Sequence, residues 1–118
     1  MSNMTFMVLN TWREDELRAF YKILGLTLIE EKHGEGPVHH SMTDGRGLII
    51  EFYHGAPMDA AHGARYGFEV ESLEETVKSF LALDEDWHYR IKGPFDNGTR
   101  YVVQDPDDRT LHLTQKRL

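Results

Sequence analysis

Apolar and polar positions along this chain follow two periods, and the two periods succeed each other in the same order twice. Residues 4–11, MTFMVLNT, are apolar and β-prone. Thr11 and Glu14 then carry the T-x-x-E spacing of a capping box, which predicts a helix starting there. Leu17, Phe20, Tyr21 and Leu24 fall at i, i+3, i+4 and i+7, one apolar face of that helix, and Gly25 is placed to end it. Next come LTLIEEKH, VHHSMT and GLIIEFYH, separated by turn residues at 34–37 and 44–47, which predict three antiparallel strands. In the second half, ARYGFEVES predicts a strand, and Ser72 with Glu75 repeats the capping signal before Leu73, Val77, Phe80 and Leu81 at helical spacing. WHYRIK, TRYVVQ and RTLHLTQ, parted by turns at 93–98 and 105–108, predict three more strands.

Thr11 and Ser72, Phe20 and Phe80, and Glu51 and His112 each lie about 60 residues apart, so the order β, α, β, β, β is read as an internal repeat. The 118 residues are the size of one domain. We therefore expect a single α+β domain over 1–118, with module 1 at about 1–57, module 2 at about 64–118, and a seam rich in Gly, Pro and Ala at 54–64.

Composition narrows the partners. Twenty acidic against 13 basic residues leave a net charge of −7, which opposes binding to a phosphate backbone. No apolar run reaches the length of a membrane span, and the first ten residues lack the basic start and apolar core of a signal peptide, so the expected location is the cytoplasm. With no cysteine, any metal would rest on His, Asp, Glu or water.

The segments FYKILGL, GPVHHSMTDGRGLIIEFY, YGFEVESLEE and GPFDNGTRYVVQDPDDRTLHLTQ resemble the vicinal oxygen chelate superfamily, which includes glyoxalase I, extradiol dioxygenases and bleomycin-resistance proteins. The resemblance covers nearly the whole chain. It implies two βαβββ modules whose sheets form an open half-barrel, the glyoxalase/bleomycin-resistance-like fold, and it implies a homodimer. Metal-dependent members carry one ligand on the first and one on the last strand of each module. Carried onto this sequence, those positions are Phe6, Glu51, Arg65 and His112. Phe6 has no donor atom and Arg65 has a fixed positive charge, so only Glu51 and His112 can ligate a metal.

Period-2 alternation gives an independent reading of two strands. Leu48, Ile50 and Phe52 share one face and Ile49, Glu51 and Tyr53 the other, while Thr110, His112 and Thr114 lie opposite Leu111 and Leu113. Glu51 and His112 thus occupy the polar layers of equivalent strands. A carboxylate and an imidazole so placed suit three roles: a hydrogen-bonded pair, a metal site completed by water or by His39 or His40, or general acid–base catalysis. His39 and His40 are adjacent in a strand, so only one can face that layer. His33, His54, His62 and His88 show no ligand spacing among themselves and read as surface residues. Arg65 fits an anionic or carboxylate ligand, or a salt bridge to Glu51 or Glu69. Among Trp12, Tyr53, Trp87 and Tyr101, Tyr53 is the choice for stacking on a ligand because it shares the Glu51 face. Asp105-Pro106-Asp107-Asp108 reads as a β-turn rather than a calcium loop.

The favoured function is binding of a small organic molecule in the half-barrel cavity, without the four-ligand metal site and with no cofactor expected. Phe6, Glu51, Tyr53, Arg65 and His112 are the candidate ligand-binding residues. The alternative is a lyase or dioxygenase that uses a divalent metal ion held by Glu51 and His112 with water or a third ligand, those two residues also being the catalytic candidates. A third class, an interaction or dimerisation module, has no positive signal in the sequence.

Overall fold

The computed structural model describes residues 1–117. It divides into two compact units, Met1–Asp59 and Ala60–Leu118. Among the described residues no helix is long and apolar enough to cross a membrane.

In the first unit, β1 (Phe6–Thr11), α1 (Glu14–Ile23), β2 (Ile29–Glu31), β3 (His39–Thr43) and β4 (Ile49–His54) are followed by a single helical turn, α2 (Met58–Ala61). The strands form one open mixed sheet in the order β1-β4-β3-β2, with β1 parallel to β4 and the other pairs antiparallel. Leu17, Phe20 and Tyr21 of α1 are buried with Met42, Ile50 and Phe52, and the Tyr21 and Phe52 rings lie 5.9 Å apart. The apolar layer of β4 therefore faces the helix, as its alternation predicts. Gly25, at φ +82°, closes α1: its N–H reaches Lys22 O and that of Leu26 reaches Tyr21 O, the paired bonds of a Schellman ending.

The second unit repeats the plan. β5 (Arg65–Val70), α3 (Leu73–Leu81), α4 (Trp87–Arg90), β6 (Ile91–Phe95), β7 (Arg100–Gln104) and β8 (Thr110–Gln115) give a sheet in the order β5-β8-β7-β6, with β5 parallel to β8. Leu73, Val77 and Phe80 are buried with Val103, Leu111 and Leu113. Ser72 caps α3 as its motif predicts, its hydroxyl accepting from the Glu75 N–H at 3.2 Å.

Two local expectations are corrected. The helix α1 starts at Glu14 with Arg13 at its cap and no side-chain cap bond, because Thr11 still belongs to β1 and its hydroxyl accepts from the Arg13 N–H at 2.9 Å instead. The stretch WHYRIK is not one strand. Asp84 accepts from the Asp86 N–H at 2.8 Å and Tyr89 N–H donates to Asp86 O at 3.0 Å, which winds residues 87–90 into a turn of helix before β6 begins. Trp87 is thereby buried against Phe80 at 5.4 Å and is out of reach as a stacking surface for a ligand.

Candidate functional site

Each sheet buries one layer and leaves the other polar. In the first unit, register aligns Val8 with Glu51 and Asn10 with Tyr53, and places Ser41 opposite Glu51, Glu31 opposite His39 and Ile29 opposite Ser41. Glu31, His39, Ser41, Glu51 and Tyr53 therefore occupy one face, with Phe6, Val8, Ile29 and Ile49 around them. Those four apolar side chains are 59%, 49%, 57% and 41% exposed, an apolar rim about an acidic centre.

Register also decides between the two adjacent histidines. His40 aligns with Phe52 on the helix side, whereas His39 lies on the Glu51 face. The His39 ring is almost fully buried, stacks on Tyr53 at 4.5 Å and 11°, and brings Nε2 to 3.1 Å from Glu51 Oε2 without hydrogen-bond geometry. Its Nδ1 lies 3.3 Å from Pro37 O. On the neighbouring strand Glu31 accepts from the Ser41 hydroxyl through Oε1, and its Oε2 lies 3.3 Å from His33 Nε2. The His33 ring is 5.0 Å from that of His39. His33 is exposed, as expected of a surface residue, and it also continues the alternation of Glu31 onto the same face. The signal available was the Glu31-x-His33 spacing together with the turn at Gly34–Gly36, which folds β3 back beside it.

In the second unit Arg65 aligns with Thr110, Gly67 with His112, Val102 with His112 and Lys92 with Val102. This face is cationic. Arg65 is exposed and makes no ion pair with Glu69 or any other described residue of its unit. Arg100 Nη1 is 3.2 Å from His112 Nδ1, and Arg100 Nε donates to Asp96 Oδ2 at 2.8 Å. A guanidinium can only donate, so His112 Nδ1 is an acceptor and the neutral ring carries its hydrogen on Nε2. His112 thus offers an N–H donor to whatever meets it, and a fixed cation stands on its other side. Beside it, Tyr89, Arg90, Lys92, Val102, Gln104 and Thr110 line a shallow cavity of about 260 Å³.

The four positions at which metal-dependent members of the resembled family hold their ion therefore do not fit one here. Phe6 has no donor, Arg65 repels a cation, and His112 has its Nδ1 lone pair already taken by Arg100. Glu51 alone keeps a suitable donor.

No family model matches the sequence, and no curated protein matches it. Solved structures do match in fold. A bleomycin-binding protein complexed with bleomycin superposes with a TM-score of 0.65 at 21% identity, covering 99% of this chain and 100% of that one. TnmS3, an antibiotic binding protein from Streptomyces sp. CB03234, gives 0.71 at 12% identity over 99% of this chain and 98% of that one. A possible glyoxalase from Bacillus cereus gives 0.66 at 22% identity over 97% and 99%. The chain has an α+β fold with two open four-stranded mixed sheets, and it shares that fold with these bleomycin-binding, antibiotic-binding and glyoxalase-like structures.

Proposed function

From the premise of that fold, we propose that the chain is a small-molecule binding protein, one glyoxalase-like domain that takes an organic ligand without a four-ligand metal centre. The observation that carries this reading is the Asp96–Arg100–His112 chain of contacts, which turns His112 from a metal ligand into a hydrogen-bond donor. In the first unit the exposed apolar side chains around Glu51 and the Tyr53 ring offer contacts to an aromatic body, and in the second the exposed Arg65 offers a partner for an acidic group. Two fold neighbours, a bleomycin-binding protein and an antibiotic binding protein, support a binding role. The competing reading, a divalent-metal lyase or dioxygenase through Glu51 and His112, would need Arg100 to release the imidazole.

The test is calorimetric titration and thermal melting of EDTA-treated protein with bleomycin and with a panel of aromatic carboxylates. A ligand bound at 100 times its Kd stabilises by about 2.7 kcal/mol. Arg65→Ala and His112→Ala should each weaken the bound compound by roughly tenfold, about 1.4 kcal/mol. Binding or turnover that appears only with added divalent metal, and disappears in His112→Ala, would overturn the proposal.

A further inference from the structure

The first unit holds a second constellation that owes nothing to the four family positions. Its parts are Glu31, His33 and His39, whose ligand atoms all lie within 4.8 Å of one another. Two are on adjacent strands and the third follows directly from β2, so the sheet itself sets their spacing.

The buried member gives the cluster its direction. Pro37 O can only accept, so the proton of neutral His39 resides on Nδ1 and the lone pair on Nε2. That Nε2 is buried and makes no hydrogen bond, and its near neighbour at 3.1 Å is a carboxylate oxygen of Glu51. An unpartnered lone pair lying beside an anion, inside a face that already carries Glu31 and Glu51, is an arrangement that a cation relieves. The supporting contacts are those metal ligands ordinarily have. The Pro37 carbonyl fixes the tautomer and orientation of His39, and the Ser41 hydroxyl holds Glu31 Oε1, leaving Oε2 directed to His33.

From this geometry we propose that Glu31, His33 and His39 form a divalent-cation site. Two imidazole nitrogens with carboxylate oxygens match zinc and its neighbours in the transition series, whereas magnesium and calcium prefer all-oxygen sets. Two donors bound at about 2.1 Å in a tetrahedron lie about 3.4 Å apart. The Glu31–His33 pair, at 3.3 Å, already meets that spacing. His33, whose side chain is 69% exposed, has the freedom to close the rest.

The whole chain, stripped with EDTA and dialysed, is titrated calorimetrically with Zn²⁺ and with Mg²⁺, and bound metal is counted by elemental analysis. We expect one zinc per chain and no magnesium under the same conditions. His33→Ala and Glu31→Gln should each lower zinc affinity by at least about tenfold, with circular dichroism unchanged because neither residue is in the core. His112→Ala should leave affinity unchanged. Failure to bind zinc, an affinity indifferent to His33→Ala and Glu31→Gln, or one abolished by His112→Ala would each overturn the site. The proposal stands apart from the ligand-binding reading, which predicts sensitivity at Arg65 and His112 instead.

Discussion

The turn before β4 and the turn before β8 are built the same way and filled differently. Asp44 Oδ1 accepts from the Arg46 and Leu48 N–H groups at 2.9 Å each, and Asp44 N–H donates to Leu48 O at 2.9 Å. Asp105 Oδ1 accepts from Asp107 and Arg109 at 2.8 and 3.0 Å, and Asp105 N–H donates to Arg109 O at 2.9 Å. Asp44 matches Asp105 in this pattern, and Leu48 matches Arg109. Where the first unit places a partly buried leucine, the second buries a guanidinium completely, held by Asp105 at 3.2 Å and Asp107 at 2.9 Å, both themselves buried. One backbone device thus serves two kinds of interior. A carboxylate that binds two turn amides specifies the bend, and the residue immediately before the last strand decides whether the turn is sealed by apolar contact or by charge.

The difference is broken most severely at Arg109. Removing one partner of a buried ion cluster leaves the others uncompensated, and this loss is worth about 3–5 kcal/mol. Arg109→Ala should therefore lower the urea midpoint sharply, or prevent folding. Arg109→Leu, the residue the first unit uses, should not rescue it while Asp105 and Asp107 remain, since both carboxylates would stay buried without their cation. Wild-type stability in Arg109→Leu would show that the two turns are interchangeable.

Asp44 sharpens the same comparison at lower cost. Its carboxylate binds amides at a partly solvated turn, so Asp44→Ala should cost about 1–2 kcal/mol, the value of hydrogen bonds to a charged group discounted for exposure. A loss equal to that of Arg109→Ala would mean that the turn bonds, rather than the buried cation, dominate in both units.

These turns also show what could be read before the structure. The alternation in residues 48–53 and 110–114 set the buried layers correctly because a one-residue shift would put Glu51 or His112 among the helix contacts. Gly25 and Ser72 were legible as helix boundaries because their conformations and side-chain bonds are local. What escaped was pairing across strands. Asp105-Pro106-Asp107-Asp108 reads as a turn and forms one, but nothing local shows that Arg109 folds inward over it. Likewise, Glu31, His33 and His39 meet only through the β2–β3 register, and the Arg100 contact that sets the His112 tautomer spans β7 and β8. The strand expected over WHYRIK fails for a similar reason: Asp84 and Asp86 start a helical turn where β-propensity alone favours a strand.

The helix starts give the smallest contrast. Ser72 caps α3 with its own hydroxyl, whereas α1 lacks such a cap and instead has Glu14 in its first turn, with Oε1 at 2.6 Å from His54 Nδ1. Burial alone would raise the Glu14 pKa, but the His54 hydrogen bond, the backbone N–H and nearby histidine charge outweigh it and hold the carboxyl below its ordinary value. A carboxyl whose folded pKa is lowered stabilises the fold in its ionised form. The contribution is complete above the ordinary glutamate range, near 4.3, and is lost as pH falls through the lowered value. Because His54 is largely exposed, the effect should be about 0.5 kcal/mol. Glu14→Gln should therefore flatten the acid side of a stability-against-pH curve below about pH 5 and reduce stability slightly at neutral pH. An unchanged acid limb would assign the start of α1 to its backbone and the Thr11 hydroxyl alone, leaving Glu14 no part in what Ser72 does for α3.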